Sequence, residues 1–171
     1  MRKFTLVMAM DSQFGIGKDN GLPWHDPDDL KSFYRTTVDR VVIMGHNTWV
    51  SLPFKPLSKR LNVVISSDSS IVTGENLIVI DPTGLTDLQL AQEIDRVVPA
   101  NYTEDDMLVI GGKGLAEKLR FNINQMHITH IEGNYDCDVF FNPFGETAEE
   151  IGEWELMDNT PTHRTTTYRR K

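Results

Sequence analysis

Four stretches of this chain are almost wholly apolar and too short for independent helices. They run from Phe4 to Met10 (Phe-Thr-Leu-Val-Met-Ala-Met), Arg40 to Gly45, Leu61 to Ser67 and Met107 to Ile110. Successive side chains on a strand point to opposite faces, so an unbroken apolar run predicts a strand covered on both sides. Asn76 to Ile80 predicts a shorter strand of the same kind. Gln125 to Ile131 alternates instead, with Met126, Ile128 and His130 opposed to His127, Thr129 and Ile131. Cys137 to Phe141 is a further strand candidate, and Trp154 to Met157 with Thr165 to Arg170 predicts an antiparallel pair.

Helical periodicity fills the gaps. Leu85 to Val98 places apolar residues three or four apart behind a cap at Thr86 or Asp87, and Lys113 to Arg120 follows two glycines. A short helix begins near Asn47 or Thr48, either of which would cap it. Pro53 to Arg60, with two prolines and three basic residues, predicts an exposed loop. Buried strands alternating with helices, then strands paired at the end, define an α/β fold. The expectation is a single domain over residues 1–171: a twisted, mostly parallel sheet with antiparallel C-terminal edge strands and flanking helices.

One stretch, Gly15 to Thr37, stands apart. It opens as a loop with Gly15, Gly17, Gly21 and Pro23, then becomes a helix. Asp26 suits the N-cap, Pro27 the first helical position, and Asp28 and Asp29 the first turn, where the helix dipole favours negative charge. Asp29 and Phe33 are four apart and share a face, with Thr36 and Thr37 near it one turn on. A carboxylate beside an aromatic ring under a glycine loop suits a flat, nitrogen-rich ligand. It equally suits a plain capping acid, and both readings of Asp29 stay open on these residues.

Composition narrows the partners. With 17 Lys and Arg against 25 Asp and Glu, the formal net charge is −8, which argues against nucleic acid or an anionic membrane as main partner. Cys137 is the single cysteine, so an internal disulfide and a cysteine metal cluster are excluded. No run approaches the ~20 apolar residues of a membrane span. Met1-Arg2-Lys3 lacks a following apolar run with a small-residue cleavage site, so a cytoplasmic protein is the expectation. A monomer is expected because no exposed amphipathic interface stands out. The histidines at 25, 46, 127, 130 and 163 are scattered, and no metal site is expected. In α/β sheets ligands bind beyond the carboxyl ends of strands. Three strand ends carry backbone donors or hydroxyls suited to phosphate: Gly45-His46-Asn47-Thr48, Ser66-Ser67 and Gly111-Gly112-Lys113-Gly114. Each is weak alone.

Their order is specific. Ala9-Met10-Asp11, Gly15-Ile16-Gly17 with Leu22-Pro23-Trp24, Asp28-Asp29-Leu30 with Phe33, and Val42-Ile43-Met44-Gly45 with Thr48-Trp49 follow one another. Then come Pro56-Leu57 with Arg60, Val63-Val64-Ile65-Ser66-Ser67, Val109-Ile110-Gly111-Gly112, Ile128-Thr129-His130-Ile131, and Asp138 with Phe140-Phe141-Asn142-Pro143. Over nearly its full length the chain resembles the dihydrofolate reductases of bacterial or phage type.

The resemblance implies reduction of 7,8-dihydrofolate to tetrahydrofolate by hydride from NADPH, supplying one-carbon metabolism, with antifolates as inhibitors. It implies that Asp29 assists protonation at N5 of the pterin, with Thr129 supporting it by a hydroxyl hydrogen bond and Leu22 closing the site. Leu30 with Phe33 would wall the carboxylate and raise its pKa. Val7, Met8, Phe33, Leu52, Leu57 and Ile110 would line the substrate pocket, and Arg60 would take the substrate's glutamate carboxylate. The cofactor would lie on Ala9, Ile16, Gly17, Asn20, Leu22, Trp24, Gly45, His46, Asn47, Thr48, Ser66, Ser67, Ile110, Gly111, Gly112, Lys113, Gly114 and Leu115. Residues 15–24 would be the lid, Asp138 its latch, and Gly111–Gly112 a cis peptide.

Three residues depart from the family's habit. His46 stands where an arginine often meets the 2′-phosphate, which weakens the expected preference for NADPH over NADH. Ala116 stands where a tyrosine often lies near the nicotinamide, and Cys137 where glycine is common. Two alternatives remain: a reductase of the same fold acting on a pyrimidine in flavin synthesis, and a folate- or nucleotide-binding protein without turnover. Asp29 with Phe33, and the basic loop ending in Arg60, favour a folate.

Overall fold

A computed structural model describes residues 1–158 and 165–171; the backbone of Asp158 is included and His163 lies outside. The strands are β1 (Phe4–Met10), β2 (Gly15–Gly17), β3 (Val41–Gly45), β4 (Leu61–Ile65), β5 (Leu77–Ile80), β6 (Met107–Gly111), β7 (Ile123–His130), β8 (Val139–Phe140), β9 (Trp154–Asp158) and β10 (Thr165–Arg170). The helices are α1 (Pro27–Thr37), α2 (His46–Ser51), α3 (Asp87–Val97), α4 (Lys113–Leu119) and α5 (Ala148–Gly152).

Eight strands form one sheet in the order β5-β4-β3-β6-β1-β7-β10-β9. The first six are parallel to their neighbours, and β10 is antiparallel to both β7 and β9. The expected fold class and its antiparallel C-terminal edge are present. The apolar runs form the centre of the sheet: Ile43, Val63 and Val109 are fully buried on one face and Val42, Met44 and Val64 on the other. Each such side chain contributes roughly 1.5–3 kcal/mol of transfer free energy.

The helix starts follow the sequence. The Asp26 carboxylate accepts from the N–H groups of Asp28 and Asp29, with Pro27 at the first helical position. Thr86 and Gln89 close a reciprocal capping box on α3. At α2 the expectation fails: the cap is Gly45, not Asn47 or Thr48, because the chain turns from strand to helix with no intervening loop. The alternation in β7 also begins earlier than expected, since Phe4 pairs with Ile123 at its start. Cys137 is not part of β8; it is buried beside Trp24 and Ile131.

The glycine stretch is more ordered than its composition implies. Its Gly15–Gly17 segment pairs with Val139 and Phe140 as a two-stranded ribbon apart from the main sheet. Three residues beside a bend are too few to show strand periodicity, so this pairing was not legible.

Candidate active site

The carboxyl ends of β1, β3 and β6 lie on one side of the sheet, because the three strands are parallel and adjacent in the order β3-β6-β1. Two of them end in glycine. At their junction the register slips by one residue, so that Met44 pairs with Gly111. Gly111–Gly112 is a cis peptide, as expected, and Gly111 adopts a φ of 139°, which a side chain rarely tolerates. A Cβ on Gly111 would sit 3.0 Å from the Thr48 hydroxyl, and one on Gly45 would sit 3.7 Å from the amide nitrogen of Gly112. Bare backbone from β3, β6 and the starts of α2 and α4 therefore converges there.

Beside this cradle, at the end of β4, the Ser66 hydroxyl accepts the N–H of Asp68 at 3.1 Å and lies 2.9 Å from His46 Nδ1. His46 and Ser66 thus form one unit, while Ser67 and Asn47 are exposed. Leu115 is 6% exposed and belongs to the core, and its Cβ would lie 3.8 Å from a Cβ placed on Gly45. Ala116, at 1% exposure, forms a wall of a cavity of about 660 Å³ with Phe14, Met126 and Phe140.

The apolar face of the site is built by strand alternation. Val7 and Ala9 are partly buried on one face of β1, whereas Met8 and Met10 are buried on the other. Met8 was expected to line the substrate pocket, but the two-residue period of the strand turns its side chain into the opposite core. Leu52, Leu57 and Ile110 pack together with Val42 and Met44, as one wall. Asp29 and Phe33 are both partly buried on α1. Leu30, expected to wall the carboxylate, is 53% exposed, since neighbouring helix positions diverge by about 100°. The Thr129 hydroxyl meets the Thr165 hydroxyl at 2.9 Å across β7 and β10.

Arg60 was placed in an exposed loop, yet it is 8% exposed. Its Nε donates to the Ser58 carbonyl at 2.8 Å and Nη1 to the Thr37 hydroxyl at 3.0 Å, while Thr37 donates to Phe33 O. Burial pushes the guanidinium below its ordinary pKa, and Tyr34 opposes that shift. The helix thus fixes the arginine's plane.

The glycine loop over residues 15–24 is held at both ends. Lys18 and Gly21 exchange backbone hydrogen bonds at the tip. The Asp138 carboxylate accepts the Asp19 N–H at 3.0 Å, a hydrogen bond of the kind the resemblance implied. At the base, Asp11, which the sequence offers only as the last residue of the Ala9-Met10-Asp11 motif, is a hub. Its buried carboxylate accepts from the N–H groups of Gln13, Gly15 and Tyr135 and from the Cys137 thiol. Burial pushes its pKa up, but these donors outweigh burial and the net position is below the ordinary carboxylate value. Burial and the Asp11 carboxylate push the Cys137 thiol up, so it stays a donor. An acid standing at a strand end just before a glycine loop was the available signal. Trp24 stacks edge-on to Tyr135 at 5.6 Å and is buried, and Leu22 is 56% exposed.

Fold and site together define an α/β protein in which bare glycine backbone gathers at the carboxyl ends of adjacent parallel strands, with a separate glycine loop hydrogen-bonded to Asp138. A family model described as dihydrofolate reductase matches residues 3–170, and the chain belongs to the dihydrofolate reductase family. A dihydrofolate reductase type 9 of Escherichia coli is 30% identical, the match covering 95% of this chain and 86% of that one. A bifunctional dihydrofolate reductase-thymidylate synthase of Glycine max is 31% identical over 98% of this chain, which spans about a third (33%) of that relative's length. A solved dihydrofolate reductase from Enterococcus faecalis, complexed with NADP(H) and RAB-propyl, superposes with a TM-score of 0.72 at 23% identity, covering 99% of this chain and 96% of that one.

Proposed function

We propose that this chain, as one domain over residues 1–171, reduces 7,8-dihydrofolate to 5,6,7,8-tetrahydrofolate with NADPH as hydride donor. The family match over residues 3–170 supports the reaction. The observation that carries the site is the meeting of two glycine-ended parallel strands, where a Cβ on Gly111 would crowd Thr48. Such a bare backbone suits a cofactor's phosphates.

The residues divide into three tasks. Gly45, His46, Asn47, Thr48, Ser66, Ser67 and residues 111–114 would hold the nucleotide, with Ala9, Ile16, Gly17, Asn20 and Leu22 against its reactive ring. When bound, NADPH supplies the hydride. Val7, Phe33, Leu52, Leu57 and Ile110 hold the pterin and its benzoyl group in place, and Arg60 takes the tail carboxylate. Holding two rings in register removes most of the entropic barrier of a bimolecular hydride transfer. Asp29 binds the pterin's amino group and ring N–H and favours a proton at N5. Thr129, paired with Thr165, keeps that end of β7 polar. The lid excludes water from the transfer. Antifolates fit the same pocket. Among the described residues no helix is long and apolar enough to cross a membrane, and we place the protein in the cytoplasm as a monomer.

The test is the fall in NADPH absorbance on adding dihydrofolate, with NADH in parallel. Rapid oxidation that needs both reactants is the expected result. Folded protein that binds folate and oxidises neither cofactor would replace this reading with a binding role.

A further inference from the structure

The arginine assigned to the folate tail has an aromatic neighbour that no part of the mechanism uses. Tyr34 lies on α1, and the Arg60 guanidinium carbon sits 5.4 Å from its ring centroid. The tyrosine is 40% exposed and belongs to none of the buried clusters, whereas Arg60 is 8% exposed. The contact therefore shields the cation without giving the ring a core position.

The arginine's own hydrogen bonds show what remains for a ligand. Nε is taken by Ser58 and one Nη1 hydrogen by Thr37. Among the described residues nothing accepts from Nη2. Thr37 is fully buried and bonded to Phe33, so the plane of the guanidinium is fixed at one edge and by the Tyr34 ring over it. A planar donor immobilised in this way presents its remaining edge in one orientation, which suits a carboxylate.

We propose that Tyr34 is a specificity-determining residue for the acidic tail of the folate, acting by holding the Arg60 guanidinium on one face. This rests on the function proposed above and deepens it. The ring lowers the cost of keeping a buried cation desolvated before substrate arrives. It also keeps water from one side of the arginine–carboxylate pair, which strengthens that pair. The phenol hydroxyl is not required; the π face is. Tyr34 acts through Arg60, so its effect follows the tail and not the reacting ring.

The experiment compares two substrates with the same reducible ring, dihydrofolate and 6-methyl-7,8-dihydropterin, which has no acidic tail. Steady-state constants are measured for the wild type, Tyr34→Leu and Tyr34→Phe. Tyr34→Leu is expected to raise KM for dihydrofolate by roughly three- to tenfold, the range a cation–π contact supports, with kcat holding. The same variant should leave KM for the tail-less pterin within about twofold, and Tyr34→Phe should restore the wild-type KM for dihydrofolate. An equal change on both substrates, or none on either, overturns the proposal, as does a Tyr34→Phe enzyme as impaired as Tyr34→Leu. A wild-type enzyme that reduces neither substrate overturns the functional reading itself. An active wild type without the split between substrates overturns the role of Tyr34 alone.

Discussion

Asp138 grips the glycine loop twice: its carboxylate accepts the N–H of Asp19 at 3.0 Å, and its own N–H donates to the carbonyl of Gly17 at 3.0 Å. Only the first bond needs the side chain. Asp138→Ala should therefore keep the ribbon between β2 and β8 but loosen the lid tip. A hydrogen bond to a charged acceptor is worth about 1.5–3 kcal/mol at most, and this one is exposed, so a fall of about tenfold or less in the single-turnover hydride rate is expected. An unchanged rate would show that the latch does not limit closure.

Asp29 sits in the first turn of α1, where Asp26 already caps the helix. Asp29→Asn should leave the fold and NADPH binding intact. It should lower kcat near neutral pH by roughly 10²- to 10⁴-fold, the range of a lost proton-transfer group. Stopped-flow turnover between pH 5 and 9, with cofactor affinity by fluorescence quenching, checks both halves. Near-normal turnover would remove Asp29 from the chemistry.

The hub at Asp11 gives a pH dependence whose sign follows from its donors. Its folded pKa lies below the ordinary value, so its stabilisation is complete above the unfolded pKa of about 3.9 and is lost as pH falls through the folded value. Asp11→Asn should cost about 1–3 kcal/mol at pH 7, by leaving buried donors unsatisfied, with the gap to wild type narrowing toward pH 3. Urea midpoints from pH 7 to pH 3 measure it. A gap that stays constant down to pH 3 would show that folding leaves the Asp11 pKa unshifted.

Gly15 has no space for a side chain. A Cβ there would lie 2.5 Å from Cys137 Sγ and 2.9 Å from the Asp11 carboxylate. Gly15→Ala is expected to destabilise by about 1–3 kcal/mol, as overpacking does. Combining it with Cys137→Gly should recover part of that loss, since the sulfur is the nearer obstacle. Thermal melts of the two single variants and the pair decide whether the positions are coupled.

His46 is held against Ser66 at the end of β4. His46→Arg places a permanent cation beside that serine and should raise the ratio of kcat/KM for NADPH over NADH about tenfold, the yield of one further charge-assisted pair. Parallel titrations with the two cofactors read it. An unchanged ratio would place the 2′-phosphate elsewhere.

Much of this architecture was legible along the chain because it depends on local rules. Unbroken apolar runs marked the central strands, Asp26-Pro27 wrote the start of α1, and Thr86 with Gln89 wrote that of α3. The ordered motifs from Ala9 to Pro143 identified the family, and the family carried Asp29, Arg60 and the glycine cradle with it. Other features depend on which elements meet, and no local pattern records that. The two-residue period of β1 separates Met8 from Val7 and Ala9, but only the packed sheet shows that the face of Met8 is the one buried in the main core. Asp11 takes donors from Tyr135 and Cys137, more than a hundred positions away. Arg60 looked exposed until α1 lent it Thr37 and Tyr34. Capping and periodicity arise between near neighbours and so are determined by sequence. Burial of a charge and the partners that make it tolerable arise between distant segments, and these the tertiary structure decided.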